Sequence, residues 1–239
     1  MTNTKDRITS RSNPYVKELC ALKPSPERFL IEGRHLCDMA YQSGCLDEVL
    51  LVEGEGYEGV KATYVSPDVL GKVATSKTPS GIIGVAKAPT LHLPLGKILL
   101  LDRVQDPGNV GTLLRTASSF GYTHVYLSKG CASPFGSKAI AGSQGAIFTL
   151  NVHVDEDLLA LASSYREKGI PVIASALREA TPLRELPRPN LPFALVLGNE
   201  GQGIREKLLA LSSVRVKIEM GTMESLNVGV AGGILMYSL

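Results

Sequence analysis

Three short stretches in the second half of the chain hold the side chains best suited to chemistry. The first is Asp102-Arg103-Val104-Gln105-Asp106-Pro107-Gly108-Asn109-Val110-Gly111, with Arg115 close behind it. The second is Gly198-Asn199-Glu200-Gly201-Gln202-Gly203, and the third runs from Glu219 to Asn227. Each mixes glycine, which lets backbone N–H and C=O groups approach a flat ligand, with a carboxylate, a guanidinium or a carboxamide that can orient a polar substrate. The second loop has its glycines at the first, fourth and sixth places, not the first, third and sixth of a dinucleotide fingerprint. Glu200 would oppose a pyrophosphate, and no P-loop signature GxxxxGK[ST] occurs, so nicotinamide and nucleoside triphosphate chemistry are disfavoured. A neutral glycine loop with one carboxylate suits a ligand that joins an adenine to a positive charge.

The elements that must position these loops follow from the hydrophobic pattern. Ile98–Leu101 and Phe193–Leu197 are continuous apolar runs, as in strands of a parallel sheet buried on both faces. The pattern predicts a helix over Asn109–Phe120, a strand at Val125–Leu127, a short helix at Ser137–Ala141 and a strand over Ala146–Val152. Asp155 is expected to cap a helix reaching Lys168, followed by a strand at Pro171–Ser175 and a proline-rich loop, Arg178–Pro192. A helix at Ile204–Leu211 and a strand at Val214–Ile218 come next. After a turn at Glu219–Glu224, an apolar helix runs to the chain end, with Ser225 as its N-cap and Asn227 in its first turn. Its Gly229, Gly232 and Gly233 each cost about 1 kcal/mol against alanine, which makes sense where another backbone passes close.

Upstream, helices at Pro14–Leu22, Arg34–Gln42 and Pro67–Ala74 alternate with strands at Phe29–Ile31, Val49–Val52, Thr63–Val65 and Gly81–Lys87. The chain therefore reads as α/β throughout: a unit over 1–88, an extended linker over 89–97 holding Pro89 and Pro94, and a parallel-sheet unit with helices on both faces over 98–239.

A length of 239 residues, 44% hydrophobic content and 20% charge allow a sizeable core, and a net charge of +2 excludes no partner. Basic residues nevertheless concentrate early: Arg7, Arg11, Lys17, Arg28 and Arg34, with Lys5 and Lys23, outnumber Asp6, Glu18, Glu27 and Glu32. An acidic stretch from Asp47 to Glu58 follows. A positive edge on a neutral unit fits phosphate contact; solvated surface charge fits equally well. Cys20, Cys37, Cys45 and Cys131 show no CxxC, and the four histidines are scattered, so reduced thiols of a cytoplasmic protein are expected and no metal site. The opening MTNTKDRITSRSN lacks the apolar region of a signal peptide, and no apolar run is long enough to span a membrane.

Taken in order and spacing, DPGNVGTLLRTASSFG, LVLGNEGQGI and IEMGTMESLNVGVA resemble the three motifs of the SpoU-type (TrmH-like) RNA ribose 2′-O-methyltransferases of the SPOUT superfamily. The likeness covers most of residues 98–239. ITSRSNPYVKEL, FLIEGRH and TPSGIIGV resemble the substrate-binding domain such enzymes often carry, similar to ribosomal-protein-type RNA-binding α/β/α domains. The resemblance implies methyl transfer from S-adenosylmethionine to a ribose 2′-hydroxyl, of ribosomal RNA before transfer RNA. It implies that Asn109 and Arg115 face the ribose, that Glu200 organises the site, and that Ser225 and Asn227 orient Arg115 and the substrate. Backbone groups around Leu197, Gly198, Asn199, Gly201, Ile218, Met220 and Leu226 would hold the cofactor. It also implies a deep C-terminal trefoil knot and a homodimer through the C-terminal unit; RNA contact is expected of Arg7, Arg11, Lys17, Arg28 and Arg34 on the clustering of their charge. Two departures stand out: the family often has Ser at Gly229 and Ala-Ala at Gly232-Gly233, and often Arg where this chain has Ala141, with Lys138 three residues earlier.

Plainer roles exist for each residue alone. Arg115 could pair with Glu200, and Ser225 and Asn227 could serve as caps only. A non-catalytic RNA-binding protein of the same fold is the alternative from another class, and it is separated by whether S-adenosylmethionine binds.

Overall fold

The computed structural model describes residues 7–223 and 225–239. Lys5 and Asp6, counted in the N-terminal charge, and Glu224, the end of the expected turn, lie outside the described residues. Two sheets organise the chain. The first has four strands in the order β1-β4-β2-β3, with β1 (Phe29–Glu32), β2 (Leu46–Leu51), β3 (Lys61–Tyr64) and β4 (Ile82–Ala86). β2 and β3 are parallel, and the remaining pairs are antiparallel. Helices α1 (Pro14–Cys20) and α3 (Pro67–Val73) cover one face, burying Val16, Leu19, Val69 and Leu70 against Leu50 and Ile83. Helix α2 (Arg34–Gln42) covers the other through Leu36, Cys37 and Ala40. Asn13 caps α1 and Ser66 caps α3, each followed by proline in the first turn, as the sequence pattern predicts.

The second sheet has seven strands, all parallel, in the order β7-β6-β5-β10-β8-β11-β9. They are β5 (Lys97–Asp102), β6 (Tyr122–Ser128), β7 (Asn151–Glu156), β8 (Val172–Ser175), β9 (Thr181–Pro182), β10 (Phe193–Gly198) and β11 (Val214–Lys217). Alternate residues of β5 and β10 serve opposite faces. Leu99, Leu101, Leu195 and Leu197 pack with α4 (Pro107–Ser119), α5 (Ser137–Ser143) and α8 (Val228–Ser238). Ile98, Leu100, Ala194 and Val196 pack with α6 (Leu158–Glu167) and α7 (Glu206–Leu209). The two sheets share one core: Phe29 of β1 lies with its ring 5.2 Å from Phe135 and 6.1 Å from Phe148. Each such ring contributes about 1.5–3 kcal/mol by leaving water.

Five local expectations are corrected. Ala146–Phe148 is a 3-10 turn, not the start of a strand: Gln144 and Gly145 both have positive φ and turn the chain, and the buried run Ala146-Ile147-Phe148 carries no period to separate the two states. Asp157, not Asp155, caps α6, accepting from the amides of Leu159 and Ala160; Asp155 lies within β7. The stretch 178–192 holds a short strand, β9, and a 3-10 turn at Leu183–Glu185. Helix α8 begins at Val228 with Asn227 as its cap, so Ser225 is not the cap. None of the three glycines in α8 meets the close backbone that was expected: a Cβ on Gly232 would meet side chains, Leu113 Cδ2 at 2.3 Å and Leu197 Cδ1 at 2.9 Å, so that glycine lets α8 pack tightly on α4 and β10. Gly233 faces open space and has no packing role.

Candidate active site at the sheet's switch point

The strand order reverses between β5 and β10. Chain order runs outward from β5 to β6 and β7, then resumes on the other side of β10. Open parallel sheets bind ligands beyond the carboxyl ends of the strands flanking such a point. Asp102 and Gly198 are register partners there, so the first and second loops leave the sheet side by side. The third loop follows β11, two places along from β10.

Side chains tie the three loops together. Asp106 caps α4, its Oδ1 accepting from Asn109 N at 2.9 Å, which places Asn109 in the first helical turn. Asn109 Nδ2 donates to Glu200 Oε1 at 3.0 Å, and Asn109 Oδ1 accepts from Asn227 Nδ2 at 3.0 Å. Asn227 Oδ1 accepts from the amides of Gly229 and Val230, at 2.8 and 3.3 Å, capping α8. Glu200 also accepts from the amides of Gln105 at 3.2 Å and Asp106 at 3.1 Å. Partial burial by itself would raise the Glu200 pKa, but the Asn109 carboxamide and the surrounding backbone amides prevail and hold it below its ordinary value. Lys138 pairs with Asp106 at 2.9 Å and lowers the Asp106 pKa, so the lysine that precedes Ala141 buttresses the helix cap.

The second loop is a closed turn. Asn199 Oδ1 accepts from Gly201 N and Gln202 N, both at 3.0 Å, and Asn199 and Gly203 exchange two backbone hydrogen bonds. A Cβ on Gly198 would meet the Gly203 carbonyl carbon at 2.3 Å, so only glycine fits beneath the turn. Leu197 is buried, Ile218 and Met220 are partly buried, and Gly201 and Leu226 are exposed at the rim.

Of the residues expected to react, Asn109, Glu200 and Asn227 meet in one hydrogen-bonded chain. Arg115 is exposed on α4 and forms no ion pair or side-chain hydrogen bond among the described residues; in particular it does not pair with Glu200. Ser225 is exposed with no side-chain hydrogen bond among the described residues.

The expected RNA-contact residues are mostly neutralised. Arg7 pairs with Glu53 at 2.8 Å, Arg11 with Asp68 at 3.5 Å, Arg28 with Glu18, and Arg34 with Glu55 at 2.8 Å. Only Lys17 is exposed without an ion pair among the described residues. Sequence reading also passed over Asp102, Ser128 and Arg205. Asp102 is fully buried and accepts from Arg205 N at 2.9 Å and Arg205 Nε at 2.8 Å, bolting the far end of the second loop to β5. The pairing of β5 with β10 brings Asp102 to Arg205, and that of β5 with β6 brings it to Ser128; Asp106 did carry a signal, an N-cap residue directly before proline.

The model of the SpoU rRNA Methylase family matches residues 96–237, more than half of the chain, and includes all three loops. The chain belongs to the SpoU rRNA methylase family. Among its relatives, the 23S rRNA (guanosine(2553)-2′-O)-methyltransferase RlmP of Bacillus subtilis (strain 168) is 35% identical over 246 residues, which take in 98% of each chain. A crystal structure of an RNA 2′-O ribose methyltransferase superposes with a TM-score of 0.80 at 31% identity, covering 97% of each chain. An AdoMet-bound rRNA methyltransferase from Sinorhizobium meliloti shares the fold, with a TM-score of 0.84 at 23% identity over 97% of this chain and 96% of that one. The SpoU motifs thus coincide with the loops that the strand order brings together.

Proposed function

We propose that this chain is an RNA 2′-O-methyltransferase that uses S-adenosylmethionine and acts on a ribose of ribosomal RNA. The observation that carries the reading is the Glu200–Asn109–Asn227 hydrogen-bonded chain, which locks three glycine-bearing loops into one rim at the switch point of a SpoU-family sheet. The residues present fit the cofactor. Gly198 leaves no room for a side chain under the second turn, and Glu200 spends its charge on loop amides and not on the ligand. The backbone of Met220 and Leu226, on the third loop, would offer donors and acceptors to an adenine edge. Exposed Met223 and Leu226 supply apolar contact beside them.

Leu197, Gly198, Asn199, Gly201, Ile218, Met220 and Leu226 would hold S-adenosylmethionine, which supplies an electrophilic methyl group. The protein orients the ribose and manages the proton. A 2′-hydroxyl is a weak acid, and a guanidinium stays protonated, so Arg115 is assigned to the neighbouring phosphate and to the developing oxyanion, not to proton removal. Asn109 and Asn227, held by their mutual hydrogen bond, would orient the ribose, with Ser225, two residues before Asn227 on the third loop, assisting. Arg115→Ala should abolish methyl transfer while leaving calorimetric S-adenosylmethionine affinity within about threefold. Loss of cofactor binding in that variant would make Arg115 structural, and no binding by the parent protein would favour the non-catalytic RNA-binding alternative.

We assign residues 1–88 to RNA binding, 89–97 to a linker and 98–239 to methyl transfer. The tail is read as a trefoil knot on the resemblance of its motifs to the SPOUT superfamily. Val230, Ile234 and Tyr237 form an exposed apolar stripe on α8, 52%, 37% and 71% accessible, which supports a homodimer through this unit. Cytoplasmic residence fits an RNA substrate and four free cysteines; among the described residues no helix is long and apolar enough to cross a membrane.

A further inference from the structure

Arg103, the first residue after β5, has φ of +58°. Side chains other than glycine and asparagine are disfavoured there, because Cβ crowds the following carbonyl. Such strain persists only where neighbouring contacts over-determine it. Here they do. The Arg103 amide donates to Ser128 Oγ at 3.0 Å, and the Arg103 carbonyl accepts from Asn199 Nδ2 at 2.8 Å. Arg103 Nη1 donates to Gln202 Oε1 at 3.1 Å. The same Asn199 carboxamide holds the second turn through the amides of Gly201 and Gln202.

We propose that the left-handed backbone at Arg103 is a latch that presets the turn Gly198–Gly203 for S-adenosylmethionine, making Arg103 a positioning residue. Rotating φ to the ordinary negative region would swing the peptide plane and carry the carbonyl away from Asn199. Asn199 would then lose the partner that fixes its carboxamide, and the two amides it holds would lose their orientation. Buried Asp102, paired with half-buried Arg205, anchors the other end of the same loop, so the turn is clamped at both ends by consecutive residues of one strand terminus. Arginine in place of glycine adds the Gln202 contact and leaves the unfolded loop less entropy to lose.

The proposal rests on the cofactor reading above, and its test separates the two. Arg103→Gly keeps the left-handed conformation accessible, whereas a β-branched valine strongly resists it. Calorimetry with S-adenosylmethionine on the full chain should show about a threefold loss for Arg103→Gly and at least about a tenfold loss for Arg103→Val. Without cofactor, hydrogen exchange at the Gly201 and Gln202 amides should accelerate in Arg103→Val and change little in Arg103→Gly. Should the valine variant not fold, Arg103→Asn against Arg103→Ala gives a milder form of the same contrast, with Asn binding more tightly. Equal losses for glycine and valine would overturn the latch in favour of the side chain, and parent-like binding and exchange in the valine variant would overturn it outright. If the parent protein binds no cofactor but the exchange contrast appears, the function reading fails and the latch stands as an organiser of the loop.

Discussion

The rim of the large sheet and the basic edge of the small one use carboxylates in opposite ways. At the rim, Glu200 accepts from neutral amides of the first loop and from Asn109, so its charge fixes geometry and cancels no cation. On the small unit, Glu53, Asp68, Glu18 and Glu55 each neutralise an arginine. The first arrangement is a preorganised site, in which groups are held before any ligand arrives. The second masks charge until a competing anion displaces an exposed pair worth about 0–1 kcal/mol. A prebuilt rim beside a masked edge means that the geometry of the rim is settled in the free protein; if the small unit contacts RNA as proposed, that contact would be made by exchanging these ion pairs.

The largest expected effect bears on whether the two regions behave as one body. Phe29→Ala removes the ring that packs on Phe135 and Phe148 across the two sheets, and should cost about 3–5 kcal/mol in denaturant unfolding. A loss below about 1 kcal/mol would mean the sheets do not share a working core.

Next comes the rim itself. Glu200→Gln replaces an acceptor-only group by one that turns a donor toward loop amides, and should lower kcat/KM about 10- to 100-fold while speeding exchange of the Gln105 and Asp106 amides. The pH dependence has a definite sign. The Glu200 pKa is lowered from 4.5 in the folded protein, so its contribution is complete above that value and disappears as pH falls through the lower folded one. Amide exchange at Gln105, corrected for its intrinsic pH dependence, should therefore stay protected from pH 7 down to about 4.5 and lose protection only below. Protection lost near pH 6 would show that Glu200 is not the acceptor.

The smallest effect concerns the masked edge. Replacing Glu53 and Glu55 by Gln frees Arg7 and Arg34; stability should move by about 1 kcal/mol or less, yet the slope of log affinity for RNA against log salt should steepen by about 0.7–0.9 per freed cation. An unchanged slope would remove these arginines from the RNA path.

Much of the fold was legible because its signals are local. The apolar runs at 98–101 and 193–197 have no second interpretation once glycine loops follow them, and Asn13-Pro14 and Ser66-Pro67 announce helices directly. Misreadings fell where two local options were nearly equal. Asp155 and Asp157 are both capable caps, as are Ser225 and Asn227, and the choice went to the residue the tertiary packing placed against the free amides. The five basic residues look alike in sequence, but carboxylates some 20–60 positions away in the chain fold back onto three of them, Arg7, Arg11 and Arg34.

By itself the sequence determined that this is an α/β chain with three glycine-bearing motif loops in a family-specific order, because periodicity, capping and motif spacing act over a few residues. Only the tertiary structure decided that Asn109, Glu200 and Asn227 share one hydrogen-bonded chain, that Asp102 grips Arg205, and that Arg115 makes no hydrogen bond or ion pair with them. Those contacts span about a hundred residues and exist because parallel pairing sets β5 beside β10 in one register. No local preference encodes which strand ends will be neighbours.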